Sequence, residues 1–435
     1  METRYQDSET NNLELICRSG RYGARIDNTG GSDVGAVLND LIERHWGPGG
    51  IDIFLAPGIY LLETPIVIRH SNIALQGYTF GFAYPSPKRP IGQTAGREGK
   101  TTLLVGPSCR DAIQIGPVRE RLAAFTLRNI SICGQNGRIG ARPNITPEQN
   151  GIRFMPNTFT DACVVDYCQL TQLTHGILNE HPESTMDVLY ITDNWIAECN
   201  VAIKLHASAF CSVISRNGFH DMSGTVFELR STNHVDYATK EMVLSDNTGW
   251  NPGKLVFDLE GFRGGTVCNN AFMFNHELVQ CFARLASCHM THVTGNTFVV
   301  DGTGPHGIGF YGTEGHAMGY EEDGERLDTL TMLGCADCTV SGNSLINFNA
   351  ERPTIRLDGH RRTGEKSRHN NVMLNKMLPT TGFEGRPWIE LTSETEGNLL
   401  LLPVAEGEAA SRTVRDQGTG NQICALSPIA GYGVV

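Results

Sequence analysis

No stretch of this sequence is apolar for long enough to cross a bilayer, which takes about 20 residues. No block of Lys and Arg stands out, and the net charge is −12. Both features argue against nucleic acid and anionic membranes as partners. The opening Met1-Glu2-Thr3-Arg4-Tyr5-Gln6-Asp7 is polar and lacks the basic and apolar regions of a signal peptide. The expectation is a cytoplasmic protein, with secretion open if a leader has been removed. No P-loop, G-x-S-x-G elbow or H-x-x-x-H spacing occurs. Gly302-Thr303-Gly304-Pro305-His306-Gly307 matches a dinucleotide fingerprint by letter, but Pro305 and the glycines after it deny it a helix. Cys335-Ala336-Asp337-Cys338 is a single C-x-x-C, too little for a zinc site. No cofactor and no metal are therefore expected. The chain has 13 Cys, an odd number scattered through β-rich stretches, which reads as buried reduced thiols.

What the sequence does have is a recurring phrase, a β-rich run ending in Asn with a large apolar residue close behind. It is clearest at Ile191-Thr192-Asp193-Asn194-Trp195. From Asn194 it returns at Asn217, Asn247, Asn270, Asn296, Asn343 and Asn375, in steps of 23, 30, 23, 26, 47 and 32 residues. A period in the twenties that carries short strands reads as a parallel β-helix, with 47 taken as about two steps. The Asn is expected at the tight turn, tolerating a left-handed backbone.

Along the chain, residues 1–50 read as an N-terminal wrap and a capping helix. Ser32 and Asp33 suggest an N-cap. Val34, Val37, Leu38, Leu41 and Ile42 form one apolar stripe, so the helix is predicted over Val34 to Arg44. Asp52 to Leu55 is a predicted strand, Pro57 to Tyr60 a turn, and Thr64 to Ile68 and Ile73 to Gly77 further strands. Leu122 to Cys133 reads as a coil with Asn129 at its turn. Residues 51–378 are expected to be coils, with loop insertions near 80–100, 134–150 and 302–327. Residues 379–435 are read as last coils and a C-terminal tail, within one domain overall.

The helix, then Pro57-Gly58-Ile59-Tyr60, then two strands resembles the opening of pectin-lyase-like enzymes. Asp193-Asn194-Trp195-Ile196-Ala197-Glu198-Cys199, within the Asn-ended coils from Gly151 to Asn349, resembles the inulin fructotransferase family, glycoside hydrolase family 91. The opening Ser32 to Asp40 also resembles that family. The resemblance implies an all-β, right-handed parallel β-helix with a short N-terminal capping helix. It also implies a homotrimer and an oligosaccharide or small-molecule substrate. Relatives cleave β-2,1 fructosyl linkages and close a difructose dianhydride, or hydrolyse one. A cytoplasmic location favours the smaller substrates.

That chemistry needs two carboxyl groups, one to protonate the leaving oxygen and one to face the fructosyl cation. As aligned with the family, the acidic pair falls on Asp193 and on position 204, where this chain has Lys204. Asp193 is a candidate catalytic carboxylate or a turn Asp bonded to local N–H groups. Glu198, among Ala197, Ile196 and Cys199, is a candidate general acid with a raised pKa, or an exposed turn residue. Strand alternation places Ile203 and Leu205 inward and Lys204 and His206 outward, with Glu228 and Arg230 outward one coil on. Glu228 is then the candidate replacement for the missing acid, with Asp258 or Glu260 beyond it. The bland reading of this row is a charge ladder on a solvated face. Trp195 and Trp250 are candidate sugar platforms or packing caps. Lys204, His206 and Arg230 complete the candidate substrate contacts, while His220 and His234 read as structural. Two rival functions stand beside the family one. The first is a scaffold turned to lyase, isomerase or cyclase chemistry on an unrelated small molecule. The second is a non-catalytic carbohydrate-binding solenoid.

Overall fold

The computed structural model describes residues 11–78, 99–117, 121–134, 148–231, 239–251, 253–274, 281–300, 320–322, 325–346, 352–378, 387–403 and 414–426. The fold is a parallel β-helix, and it divides into two units, Met1–Ser223 and Gly224–Ile308 with Thr313–Val435.

The first unit opens with Leu13–Cys17, antiparallel to both Gly20–Ala24 and Ile51–Leu55. From there the pairing is parallel. Ile51–Leu55, Ile73–Gln76, Phe125–Arg128, Val164–Asp166, Tyr190–Thr192 and Val213–Ser215 stack in one sheet. A second sheet holds Ser131–Cys133, Gln169–Thr171, Trp195–Ala197 and Gly218–His220. A third holds Asp111–Ile115, Asn150–Phe154, His175–Asn179 and Val201–Leu205. The second unit repeats the scheme. Val243–Ser245, Thr266–Cys268, His292–Thr294, Thr339–Ser341, Asn371–Met373, Leu399–Pro403 and Gln422–Leu426 form one continuous parallel run.

The seven repeat asparagines are all buried, and they stand on the rungs of ladders. Asn270 Oδ1 accepts from the backbone N–H and the side-chain amide of Asn247, at 3.0 and 2.9 Å. Its own amide donates to Leu244 O at 3.0 Å and to Asn296 Oδ1 at 2.9 Å. Every polar atom of the side chain is satisfied, as burial demands. The left-handed residue is the one before each Asn: Asp193, Arg216, Asp246, Asn269, Gly295, Gly342 and Leu374. The expectation that Asn itself takes that conformation is corrected, because its side chain must point inward to bridge coils. Asn296 bonds Asn343 directly at 2.9 Å, so the 47-residue step is one coil carrying an insertion rather than two coils.

The single helix among the described residues is α1, Gly35–His45, close to the predicted span. Val34, Leu38 and Ile42 are buried, whereas Val37 is exposed and Leu41 is half-buried. Ser32 does not cap the helix. Asp33 ties it down, accepting from the N–H groups of Gly35 at 3.0 Å, Glu63 at 3.0 Å and Thr64 at 3.2 Å. The predicted turn at Pro57 to Tyr60 is shorter than expected, since Gly58–Leu62 is a strand with Tyr60 fully buried. Asn129 sits at its turn with φ +56°. Residues 80–98, 135–147 and 302–319, where long loops were expected, lie outside the described residues. The described end of the third insertion is an antiparallel hairpin, Tyr320–Glu322 with Glu325–Leu327. The tail expected after the last coils carries two more strands, Val414–Asp416 and Gln422–Leu426.

Candidate active site

Trp195–Ala197 is a three-residue strand with a left-handed residue at each end of its run, Asp193 at φ +58° and Glu198 at φ +54°. Asp193 meets the guanidinium of Arg216 through both oxygens, at 2.9 and 2.6 Å. The Arg216 side chain is mostly exposed, so this is a surface ion pair at a turn.

Glu198 has a different setting. Strand register explains its neighbours: Gln169–Thr171, Trp195–Ala197 and Gly218–His220 stack in parallel, and each is followed by one left-handed residue. Those residues are Gln172, Glu198 and Asp221, in three successive coils. Stacked strands lie about 4.8 Å apart, which brings their side chains within reach of each other. Glu198 is 6% exposed, and Gln172 Nε2 donates to its Oε2 at 2.9 Å. Burial pushes its carboxyl up from the ordinary glutamate value, against the hydrogen bond from Gln172. The Asp221 charge adds to the rise, and His220 opposes it. His220 Nδ1 lies 2.7 Å from Asp221 Oδ2, orienting that carboxylate. Trp195 stacks on His220, ring centroids 5.5 Å apart. Gly218 makes this possible, because a Cβ there would lie 2.5 Å from Trp195 Cε3. Trp195 and His220 both remain half-buried. The corner thus gathers a buried carboxyl with a raised pKa, a second carboxyl group, an imidazole and an indole.

Lys204 is half-buried, with Ile203 and Leu205 buried beside it, as alternation requires. His206 follows, half-buried, its N–H donating to Asn179 O at 2.6 Å. Glu228 and Arg230 belong to the second unit, on strand Thr225–Arg230, in register with Asp258 and Glu260. The solvated ladder expected there is corrected. Asp258 and Glu260 are each 1% exposed. Arg230 Nε donates to Asp258 at 2.9 Å, Arg284 reaches Asp258 at 3.0 Å and Glu260 at 3.4 Å, and Arg362 also pairs with Glu260. Trp250 ends strand Thr248–Trp250, half-buried, in register with Met273. His234 lies outside the described residues. Cys335 and Cys338 are fully buried, with their thiols directed at backbone carbonyls. Among the described residues, no group of three or more His, Cys, Asp or Glu is placed to hold a metal ion.

No protein-family model and no curated protein matches the sequence. Solved structures do match. A point mutant of DFA-IIIase from Arthrobacter chlorophenolicus A6 aligns with 93% of this chain and 98% of its own, at 17% identity and a TM-score of 0.67. The same mutant in complex with DFA-III aligns at 18% identity over the same shares, also with a TM-score of 0.67. The A-module of the mannuronan C-5 epimerase AlgE6 from Azotobacter vinelandii covers 92% of this chain and 97% of its own, at 12% identity and a TM-score of 0.56. The chain shares their fold. That likeness bears out the β-helix resemblance over nearly the whole sequence.

Reading the sequence residue by residue missed Gln172 and Asp221 and took His220 for structural. A signal for them was present. Gln172, Glu198 and Asp221 are spaced by 26 and 23 residues, a rhythm close to that of the asparagines.

Proposed function

We propose that this chain is a carbohydrate-active enzyme working on fructosyl linkages, either closing a difructose dianhydride or opening one. The observation that carries the reading is the Glu198–Asp221 pair, on a scaffold shared along its length with DFA-IIIase. Glu198, its pKa raised chiefly by burial, donates a proton to the leaving glycosidic oxygen. Asp221, oriented by His220, faces the cation that develops at the anomeric carbon. A substrate hydroxyl attacks to close the ring, or water attacks to open it. Trp195 offers an apolar face to a sugar ring. Lys204 stands where the family carries its second acid, and in this reading Asp221 from the neighbouring coil takes over that role. Asp193 and Glu228 are the other candidates for it.

The Arthrobacter enzyme is described with GF2 and with DFA-III, so short fructans and dianhydrides are the first substrates to test, with inulin beside them. The assay is chromatography of products after incubation with each, for the wild type and for Glu198→Gln, Asp221→Asn, Asp193→Asn and Glu228→Gln. Turnover lost in Glu198→Gln and Asp221→Asn supports the reading. Loss in Asp193→Asn or Glu228→Gln while Asp221→Asn stays active moves the second carboxylate there. A trimer in light scattering is expected by the same resemblance, and the cytoplasm is the proposed location.

A second reading rests on the epimerase likeness and on Lys204. An outward, half-buried ammonium suits a uronate carboxylate, and lyase or epimerase chemistry on a polyuronate would use it. All fructosyl substrates inert, with a uronan altered and Lys204→Met inactive, would favour that reading.

A further inference from the structure

Behind Glu198, on the preceding coil, stands the amide of Gln172. Both residues are pinned to the coil beyond by their own backbone. Gln172 N–H donates to Ala197 O at 3.2 Å, and Glu198 N–H donates to His220 O at 2.9 Å. Their side chains therefore leave neighbouring corners side by side. Gln172 is fully buried and Glu198 nearly so. An amide beside a carboxyl has two orientations of opposite chemistry. Its N–H donates to the carboxyl, or its oxygen accepts the carboxyl's proton. The groups on the far side of Gln172 choose between them. Cys133 Sγ lies 3.9 Å from Gln172 Oε1 and 3.4 Å from Gly134 O. A thiol has a proton to offer and its sulfur accepts weakly, so the amide oxygen belongs on that side. That leaves Gln172 Nε2 facing Glu198, 2.9 Å from Oε2.

With Oε2 accepting from the amide, protonated Glu198 carries its proton on Oε1, because a carbonyl oxygen accepts better than a hydroxyl oxygen. Once Glu198 ionises, the same hydrogen bond becomes charge-assisted and stronger. The titratable groups acting on Glu198 are Asp221, which raises its pKa, and His220, which lowers it, as the Gln172 hydrogen bond also does. The thiols of Cys133 and Cys199 stand close by. Burial pushes each up to about 12, so they add no charge near neutral pH.

We infer that Gln172 is the positioning residue of the proposed acid, fixing Oε1 of Glu198 as the oxygen that gives up the proton and steadying the carboxylate that remains. The inference rests on the fructosyl reading above. In the step concerned, the glycosidic carbon–oxygen bond breaks and its electron pair goes to the leaving oxygen, which takes the Oε1 proton. As the new carbon–oxygen bond forms, the Glu198 carboxylate takes the proton of the attacking hydroxyl and returns to its starting state. Gln172 itself touches no reacting atom.

Gln172→Met in the full chain keeps the length of the side chain and removes the donor. The first measurement needs no substrate. Carbon-13 NMR of glutamate-labelled protein follows the Glu198 carboxyl, assigned by its absence in Glu198→Gln. Gln172→Met should move that titration to higher pH, because a donor to the ionised form is gone. A move to lower pH would show that the amide accepts instead, and that result or no move at all overturns the inference. Wild type alone gives a check that does not depend on the variant folding. In acid-minus-base infrared spectra the protonated Glu198 should show the lowered C=O stretch of a hydrogen-bonded carbonyl, and a free carbonyl stretch would overturn the inference. The last measurement is kinetic, on whichever fructosyl substrate wild type turns over. Gln172→Met should lower kcat about tenfold with KM little changed, and should carry the alkaline limb of kcat/KM upward with the NMR titration. A wild-type kcat and pH profile in Gln172→Met, with turnover still lost in Glu198→Gln, refutes the positioning role and leaves the function standing. A wild type inert on every fructosyl substrate refutes the function, and the role falls with it.

Discussion

Glu198 in the first unit and Asp258 with Glu260 in the second are nearly removed from water, yet they keep different company. Asp258 and Glu260 sit among the guanidinium groups of Arg230, Arg284 and Arg362. The groups acting on Glu198 are an amide, a carboxylate and an imidazole. A buried carboxylate ringed by arginines is a clamp, because separating the charges would strand them in a medium of low dielectric. For Glu198 burial is the first cause of its raised pKa, and the Asp221 carboxylate adds to the rise where an arginine would oppose it. Burial alone therefore does not mark a working acid. The sign of the neighbours does.

The sharpest way to break this contrast is to remove the clamp. Arg284→Met leaves Asp258 and Glu260 short of compensation and should cost about 3–5 kcal/mol, read in chemical or thermal unfolding. An unchanged melting temperature would mean the arginines are not holding that face. Next is Glu198→Gln, which keeps shape and hydrogen bonding but has no proton to donate. Turnover should fall about 10²–10⁴-fold. Its stability should move the other way. The folded-state pKa of Glu198 is raised above 4.5, so folding disfavours its ionised form. That penalty is absent below the unfolded value and grows as pH rises through the raised one. Glu198→Gln should therefore gain on wild type above about pH 4.5, and a melting curve that diverges only toward acid would contradict the reading.

A neutral buried group offers a third comparison. Asn270→Ala removes rungs on both sides and leaves buried backbone groups unmet, for a loss of about 1–3 kcal/mol in denaturant unfolding. A cost near zero would mean that the ladder is decorative. The smallest effect is expected at Asp193. Its pair with Arg216 is exposed, so Asp193→Asn should cost under about 1 kcal/mol and should lose even that in high salt.

The coils, the capping helix and seven asparagine rungs were legible because they rest on local rules, whereas the second ladder of Asn370, Asn398 and Asn421 went unread. Alternation sorted Ile203 and Leu205 from Lys204, and recurrence in steps of 23 to 47 residues found the seven repeat asparagines. Glu198 was legible too, since its apolar neighbours announced its burial. Asp221 was not, because it lies 23 residues from Glu198 and only stacking joins them. Asp258 and Glu260 were misjudged for a related reason. Alternation tells which face a side chain leaves by, but not what covers that face, and Arg362 reaches Glu260 from about a hundred residues away.

By itself the sequence determined the repeat, the side of each strand that enters the core, and the absence of familiar cofactor motifs. These follow from period, polarity and turn chemistry, all of which act over a few residues. Only the tertiary structure decided which carboxylates meet arginine and which meet one another. Those outcomes depend on register between coils, where one strand spacing brings distant residues into hydrogen-bond range.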